Sequence, residues 1–250
     1  MTTRHRPTSE RPVTAMVLAA GLGSRMRPLT DVMPKPLVPL DGRPMLDHVL
    51  DRLAAAGITT AIVNVHYLAD QIEQHVRTRT APRIIISDER DALLETGGGV
   101  VRARPLLGDA PFVIHNSDSV WIEDATQNLD RLLDAWDGER MDALMLLATA
   151  SGSLGYDGRG DFHLDANNRI RRRASGETAP YVFAGVSIIK PHLFDGEAER
   201  AFSLNVIWDR IIAAGRLAAI VLDGLWMHVG TPQALDEANA AIAAAKARAS

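Results

Sequence analysis

Apolar positions along this chain change spacing repeatedly, from short unbroken runs to stretches with helical periodicity. Val13 to Ala19 is an apolar run that ends in glycines, the pattern of a buried strand. In the following "PMLDHVLDRLAAAG", Met45, Leu46, Val49, Leu50 and Leu53 recur at helical spacing and Gly57 stops the helix; a β-rich run from Ala61 to Val65 comes next. The alternation continues with "LADQIEQHV" as a helix, "RIIIS" as a strand, "GVVRARPLL" as a helix and "PFVIHNSD" as a strand that turns polar at its end. Such alternation predicts an α/β fold, a Rossmann-like, mostly parallel mixed sheet with helices on both faces and ligands at the carboxyl ends of its strands. From about Ser151 the rhythm loosens into glycine-rich turns and short strands, "GDFHLDANNRIRRR" and "PYVFAGVSIIK", read here as a small hairpin-rich lid. The Ala-rich "TPQALDEANAAIAAAKARA" closes the chain as a helix. We therefore expect a polar tail over residues 1–12 and one domain over 13–250, with halves meeting near residue 150.

Composition narrows the chemistry. The formal net charge is -4 and the pI about 6.1, so no global basic field gathers nucleic acid. There is no cysteine among the 250 residues, which removes disulfides and thiolate metal sites and suits a reducing cytoplasm. The first fourteen residues contain no apolar run of signal-peptide or membrane-span type.

One stretch concentrates candidate chemistry: "VLAAGLGSRMRPLTDVMPKPL", Val17 to Leu37. Gly21 and Gly23 follow the strand as in a dinucleotide fingerprint, but Met26 stands where the third glycine would be, and no P-loop Gly-Lys-Ser/Thr follows. What remains is a glycine-rich backbone able to offer N–H donors to a phosphate chain, with Ser24, Arg25 and Arg27 beside it. Pro34 and Pro36 flank Lys35, which predicts a cation carried on a stiff, extended segment barred from helix.

"LAAGLGSRMRPLT" followed by "PKPL" resembles the signature of the sugar-1-phosphate nucleotidyltransferases, which join a nucleoside triphosphate to a sugar 1-phosphate. The resemblance runs on through "LLETGGG", "GDAPFVIHNSD", "GRGDFHL", "FAGVSIIKPHLF" and "WMHVGT"; in "ETGGG" and "GRGDF" it is closest to the N-acetylmuramate 1-phosphate uridylyltransferases of peptidoglycan recycling. It implies that Ala19, Ala20, Gly21, Gly23 and Ser24 cradle the triphosphate. Arg25 would meet the departing pyrophosphate, Lys35 the reacting phosphates, and Asp118 a magnesium or manganese ion. Thr96, Gly97 and Gly98 would lie against the nucleobase, the glycines keeping its space clear. Asn116, Arg159, Gly160, Asp161 and Gly185 would line the sugar pocket, with Arg159 on a lactyl carboxylate. The implied partners are small molecules only, an NTP and a sugar 1-phosphate, without nucleic acid or membrane, on a monomer or small homo-oligomer.

Two positions depart from the family pattern. Where many members read W-x-D-x-G-T and use the aspartate as a second metal ligand, this chain has His228, and the glycine before the motif aspartate is Ser117. Imidazole suits manganese better than magnesium. Mannose 1-phosphate guanylyltransferase and a non-catalytic nucleotide-sugar sensor are the alternatives that the sequence leaves open.

Overall fold

The first apolar run is β1 (Thr14–Leu18). A loop of three 3-10 turns leads to a small hairpin, β2 (Pro39–Leu40) and β3 (Arg43–Pro44). In the computed structural model, which describes residues 11–166 and 169–249, the chain continues through α1 (Met45–Ala55), β4 (Thr60–Val65), α2 (Ala69–Val76), β5 (Arg83–Asp88), α3 (Glu95–Leu107) and β6 (Phe112–Asn116). Then come β7 (Ser119–Glu123), α4 (Asn128–Ala135), β8 (Ala143–Thr149), β9 (Phe162–Leu164), β10 (Ile170–Arg172), β11 (Tyr181–Ile189), α5 (Asn205–Ala213), β12 (Leu217–Val221), β13 (Gly224–His228) and α6 (Pro232–Ala249). Residues 1–10 of the expected tail lie outside the described residues.

The nine-stranded mixed sheet has β6, β1, β4 and β5 side by side and parallel. Helices cover it because each carries one apolar stripe: Met45, Leu46, Val49, Leu50 and Leu53 of α1 are all fully buried. Full burial stabilises each such side chain by about 1.5–3 kcal/mol. The helix expected from Gly99 begins earlier, at Glu95, and takes in all three glycines.

The second half is more than a lid. β11 pairs antiparallel with β8 along one side and with β6 and β9 on the other, so the main sheet runs unbroken across residue 150. "YVFAGVSII", expected as part of a lid, is one strand of nine residues buried for most of its length, as its nearly continuous apolar run suits. The β9–β10 hairpin extends the main sheet beside β11, while the β7–β13 ribbon and the β2–β3 hairpin stand off it. Among the described residues no helix is long and apolar enough to cross a membrane.

Candidate active site

Register places the site. Leu18, the last residue of β1, sits beside Asn116, the last of β6, and the Ser117 amide donates to the Leu18 carbonyl (3.1 Å). Two loops therefore leave the sheet together at its carboxyl edge: the glycine loop 19–25 and the turn Asn116–Ser117–Asp118. They open on a cleft of about 600 Å³, lined further by Lys35, Asn64, Glu95, Thr96 and Gly230. Gly23 has φ +65° at the start of the 3-10 turn Ser24–Met26, and an added Cβ there would meet Thr30 at 2.9 Å. Both constraints require glycine. Gly21 is different: a Cβ would meet no protein atom within 4 Å.

Lys35, from the loop after β1, and Asp118, from the turn after β6, meet on one wall of the cleft, with Nζ 2.5 Å from Oδ2. Lys35 sits in a 3-10 turn, Lys35–Leu37, rather than on the extended segment expected. Pro34 is extended, as predicted, but Pro36 occupies an early helical position where its missing N–H costs nothing. The ribbon adds a third group. His228 of β13 pairs in register with Ser119, and the Val229 amide donates to the Asp118 carbonyl (3.4 Å). Burial works to raise the Asp118 carboxyl, but Lys35 and His228 outweigh it and hold the group below the ordinary carboxylate range. His228 is itself pushed below the usual histidine value, by burial first, with Asp118 opposing and Lys35 and Arg25 adding to the shift. The ring stacks on Trp226.

No group of three His, Cys, Asp or Glu side chains among the described residues is placed to hold a metal ion. The donor set is one carboxylate, Asp118, half occupied by Lys35, with an imidazole nearby. That fits a magnesium ion that arrives with most of its oxygen ligands from phosphate and water, and it does not fit an ion caged by protein.

Two assignments in the nucleotide half change. The Ala19 amide, expected to face phosphate, donates instead to Asn64 Oδ1 (2.7 Å), so the loop's outward donors begin after it. Gly97 and Gly98 do not line the cleft. A Cβ on Gly97 would lie 2.4 Å from the Phe202 ring, one on Gly98 2.1 Å from the Arg200 carbonyl oxygen, and one on Gly99 2.8 Å from Glu89. Their close approach is to the protein's own chain, whereas Thr96 does reach the cleft wall, its Oγ1 accepting from the Leu204 amide (2.9 Å).

Asn64 and Glu89 escaped the sequence reading. Asn64 lies on β4 within an apolar run, and only its polarity in "AIVNV" hinted at a role. Its Nδ2 donates to Glu89 Oε1 (2.8 Å), while Glu89 is fully buried and its Oε2 has no partner among the described residues. Burial raises the Glu89 carboxyl, against the bond from Asn64. The pair ties the glycine loop to the segment that precedes α3.

The sugar candidates separate. Asn116 lines the cleft, whereas Gly185, at φ +79° in the bulge of β11, is not part of its lining: a Cβ there would lie 2.8 Å from that of Ser119 and 3.2 Å from that of Asn116, so this glycine lets β11 pack behind the Asn116 turn. Arg159, Gly160 and Asp161 are not part of this cleft's lining. The Asp161 carboxylate accepts the Phe183 amide (3.1 Å), and the Gly160 amide donates to the Tyr156 hydroxyl (2.9 Å). A Cβ on Gly160 would fall 2.0 Å from the Ala179 carbonyl oxygen. "GRGDF" thus braces β11 behind Gly185; Arg159 is exposed. Arg171, Arg172 and Arg173, at the end of the β9–β10 hairpin, pair with Glu177, Asp209 and the Gly160 carbonyl respectively.

Known proteins resemble this chain. The chain is 50% identical over 241 residues to the N-acetylmuramate alpha-1-phosphate uridylyltransferase of Caulobacter vibrioides, covering 95% of this chain and 100% of that protein. The enzyme of that name from Neisseria meningitidis serogroup B is 36% identical over 229 residues, 90% of this chain and 96% of the relative. The solved inositol-1-phosphate CTP transferase from T. maritima superposes with a TM-score of 0.73 at 17% identity, covering 93% and 96% of the two chains, which speaks to the fold. The nucleotidyl transferase family model matches residues 14–150, and the chain belongs to that family.

Proposed function

We propose that this enzyme transfers uridylyl from UTP to N-acetylmuramate 1-phosphate, releasing pyrophosphate and forming UDP-N-acetylmuramate. The observation that carries the reading is the Lys35–Asp118 contact beside an open glycine loop, in a chain half identical to a uridylyltransferase over nearly its whole length. In the reaction a sugar phosphate oxygen attacks the α-phosphorus of UTP; the new P–O bond forms in line as the bond to pyrophosphate breaks. Nothing on the protein need become covalently attached, so positioning and charge neutralisation are the catalytic task. Amides of the 20–24 loop would take the phosphate oxygens, with Lys35 at the reacting phosphorus and Arg25 at the leaving group. Asp118 would hold a divalent ion, magnesium in this reading and manganese as the substitute, whose chemistry is to neutralise phosphate charge. Leu22 and Leu93, apolar yet exposed and both on the cleft wall, would hold the faces of the base. Asn116, backed by Gly185, would approach the sugar. The same reading puts the enzyme in the cytoplasm, where nucleoside triphosphates are, as a step in reuse of peptidoglycan sugars.

The test is pyrophosphate release with UTP, GTP, CTP and dTTP crossed against the 1-phosphates of N-acetylmuramate, N-acetylglucosamine, glucose and mannose. UTP with N-acetylmuramate 1-phosphate should give the highest kcat/KM. A higher value for GTP with mannose 1-phosphate overturns the reading, and inactivity with every pair and metal turns it toward a sensor.

A further inference from the structure

Glu95 is held in a backbone conformation that its side chain does nothing to justify. Its φ is +58°, in the left-handed region where glycine is at ease and a glutamate is strained. The neighbours impose that conformation. The Phe202 amide donates to the Leu94 carbonyl (3.2 Å), the Gly97 amide donates to the Phe202 carbonyl (2.8 Å), and the Leu204 amide donates to Thr96 Oγ1 (2.9 Å), so the residues on both sides of Glu95 are clamped to the 202–204 segment. A glycine would satisfy the same clamp without strain. The glutamate side chain adds nothing to the fold: it is exposed and has no hydrogen bond or ion pair with any described residue. It does line the cleft, on the wall contributed by the start of α3 rather than the wall of Lys35 and Asp118.

We propose that Glu95 determines nucleotide selectivity, its carboxylate accepting a hydrogen bond from a donor on the nucleoside. This rests on the uridylyl reading above. An ionised carboxylate only accepts, so its partners are the imide N–H of uracil or a ribose hydroxyl. Cytosine presents an acceptor at the ring position where uracil has its N–H, and it is turned away. The cationic phosphate wall and the anionic nucleoside wall would then fix which way round the triphosphate enters.

The experiment is steady-state kinetics of Glu95→Gly and Glu95→Gln with UTP, CTP and dUTP, alongside melting temperatures. Glu95→Gly should melt no lower than the wild type, because strain is relieved, while KM for UTP rises about tenfold with kcat nearly kept, as expected for a lost charge-assisted hydrogen bond. A fall in UTP-over-CTP preference identifies the ring N–H as the partner, and a fall in UTP-over-dUTP preference identifies the ribose; either supports the proposal. Both preferences unchanged within twofold, or a lower melting temperature with preferences intact, overturns it. Failure of the uridylyl reading is visible separately, in wild-type enzyme that does not turn over UTP; the variants are then compared on the nucleotide it does use.

Discussion

A methyl group added to Gly21 would meet no protein atom within 4 Å, whereas one added to Gly98 would lie 2.1 Å from the Arg200 carbonyl oxygen. Both glycines belong to motifs that resemble nucleotide-binding signatures, and both lie near the same cleft. The first leaves room for something outside the protein; the second lets two parts of the protein touch. Gly97, Gly98 and Gly99 admit the Phe202 ring, the Arg200 backbone and the Asn64–Glu89 pair, and this packing sets the start of α3. A glycine run in a binding motif can therefore serve the ligand at one remove, by fixing the backbone that presents the neighbouring Glu95 and Thr96.

The largest effect should come from exchanging the same small group at the two places. Gly98→Ala forces the Arg200 backbone to move and should lower stability by about 3 kcal/mol, read as the urea midpoint. Gly21→Ala should leave stability within about 0.5 kcal/mol and raise KM for UTP about tenfold. The contrast collapses if Gly98→Ala unfolds like the wild type, or if Gly21→Ala is as destabilised as Gly98→Ala.

Next in size is the phosphate wall. Lys35→Met and Asp118→Asn should each lower kcat/KM by about 10², with urea midpoints moving much less than in Gly98→Ala. Near-normal turnover in either variant would remove that residue from the chemistry.

How much could be read beforehand follows the range of the interactions involved. β1, α1 and β4 were legible because hydrophobic periodicity is local, and Asp118 because a strand that turns polar at its end points to the carboxyl edge. The turn at Lys35 was misjudged because flanking prolines exclude a long helix but permit one short turn. The neighbours of Gly97 and Gly98 lie around residue 202, and those of Asp161 on β11, so no local pattern could say which face they would fill. Glu95 and Asn64 were overlooked for a related reason. Each is an ordinary residue type within a familiar pattern, and its significance lies in a backbone angle or a buried partner that only the fold creates.

The smallest effect concerns the layer beneath the open wall, where packing rather than ligand chemistry decides. His115 on β6 is fully buried, stacked on Trp121 (ring centroids 5.7 Å apart), and Trp121 carries the Arg52 guanidinium 3.8 Å above its ring. Its Nδ1 bonds the Asn116 carbonyl (2.8 Å), while Nε2 has no partner among the described residues. Burial pushes the histidine down to about 3. The ring is therefore neutral in the folded protein through the weakly acidic range, whereas the unfolded chain takes up a proton at about 6.5. The contribution to stability is complete above that value and is lost as pH falls from there toward 3, at about 1.4 kcal/mol per pH unit. Between pH 7 and 5.5 the wild type should lose about 1 kcal/mol more in urea unfolding than His115→Leu, which has no proton to gain. His228 is also depressed and titrates in both proteins, so the difference between the two curves isolates His115. Parallel curves across that interval would mean that the buried ring is protonated in the fold and that the wall beneath Asn116 is held by charge.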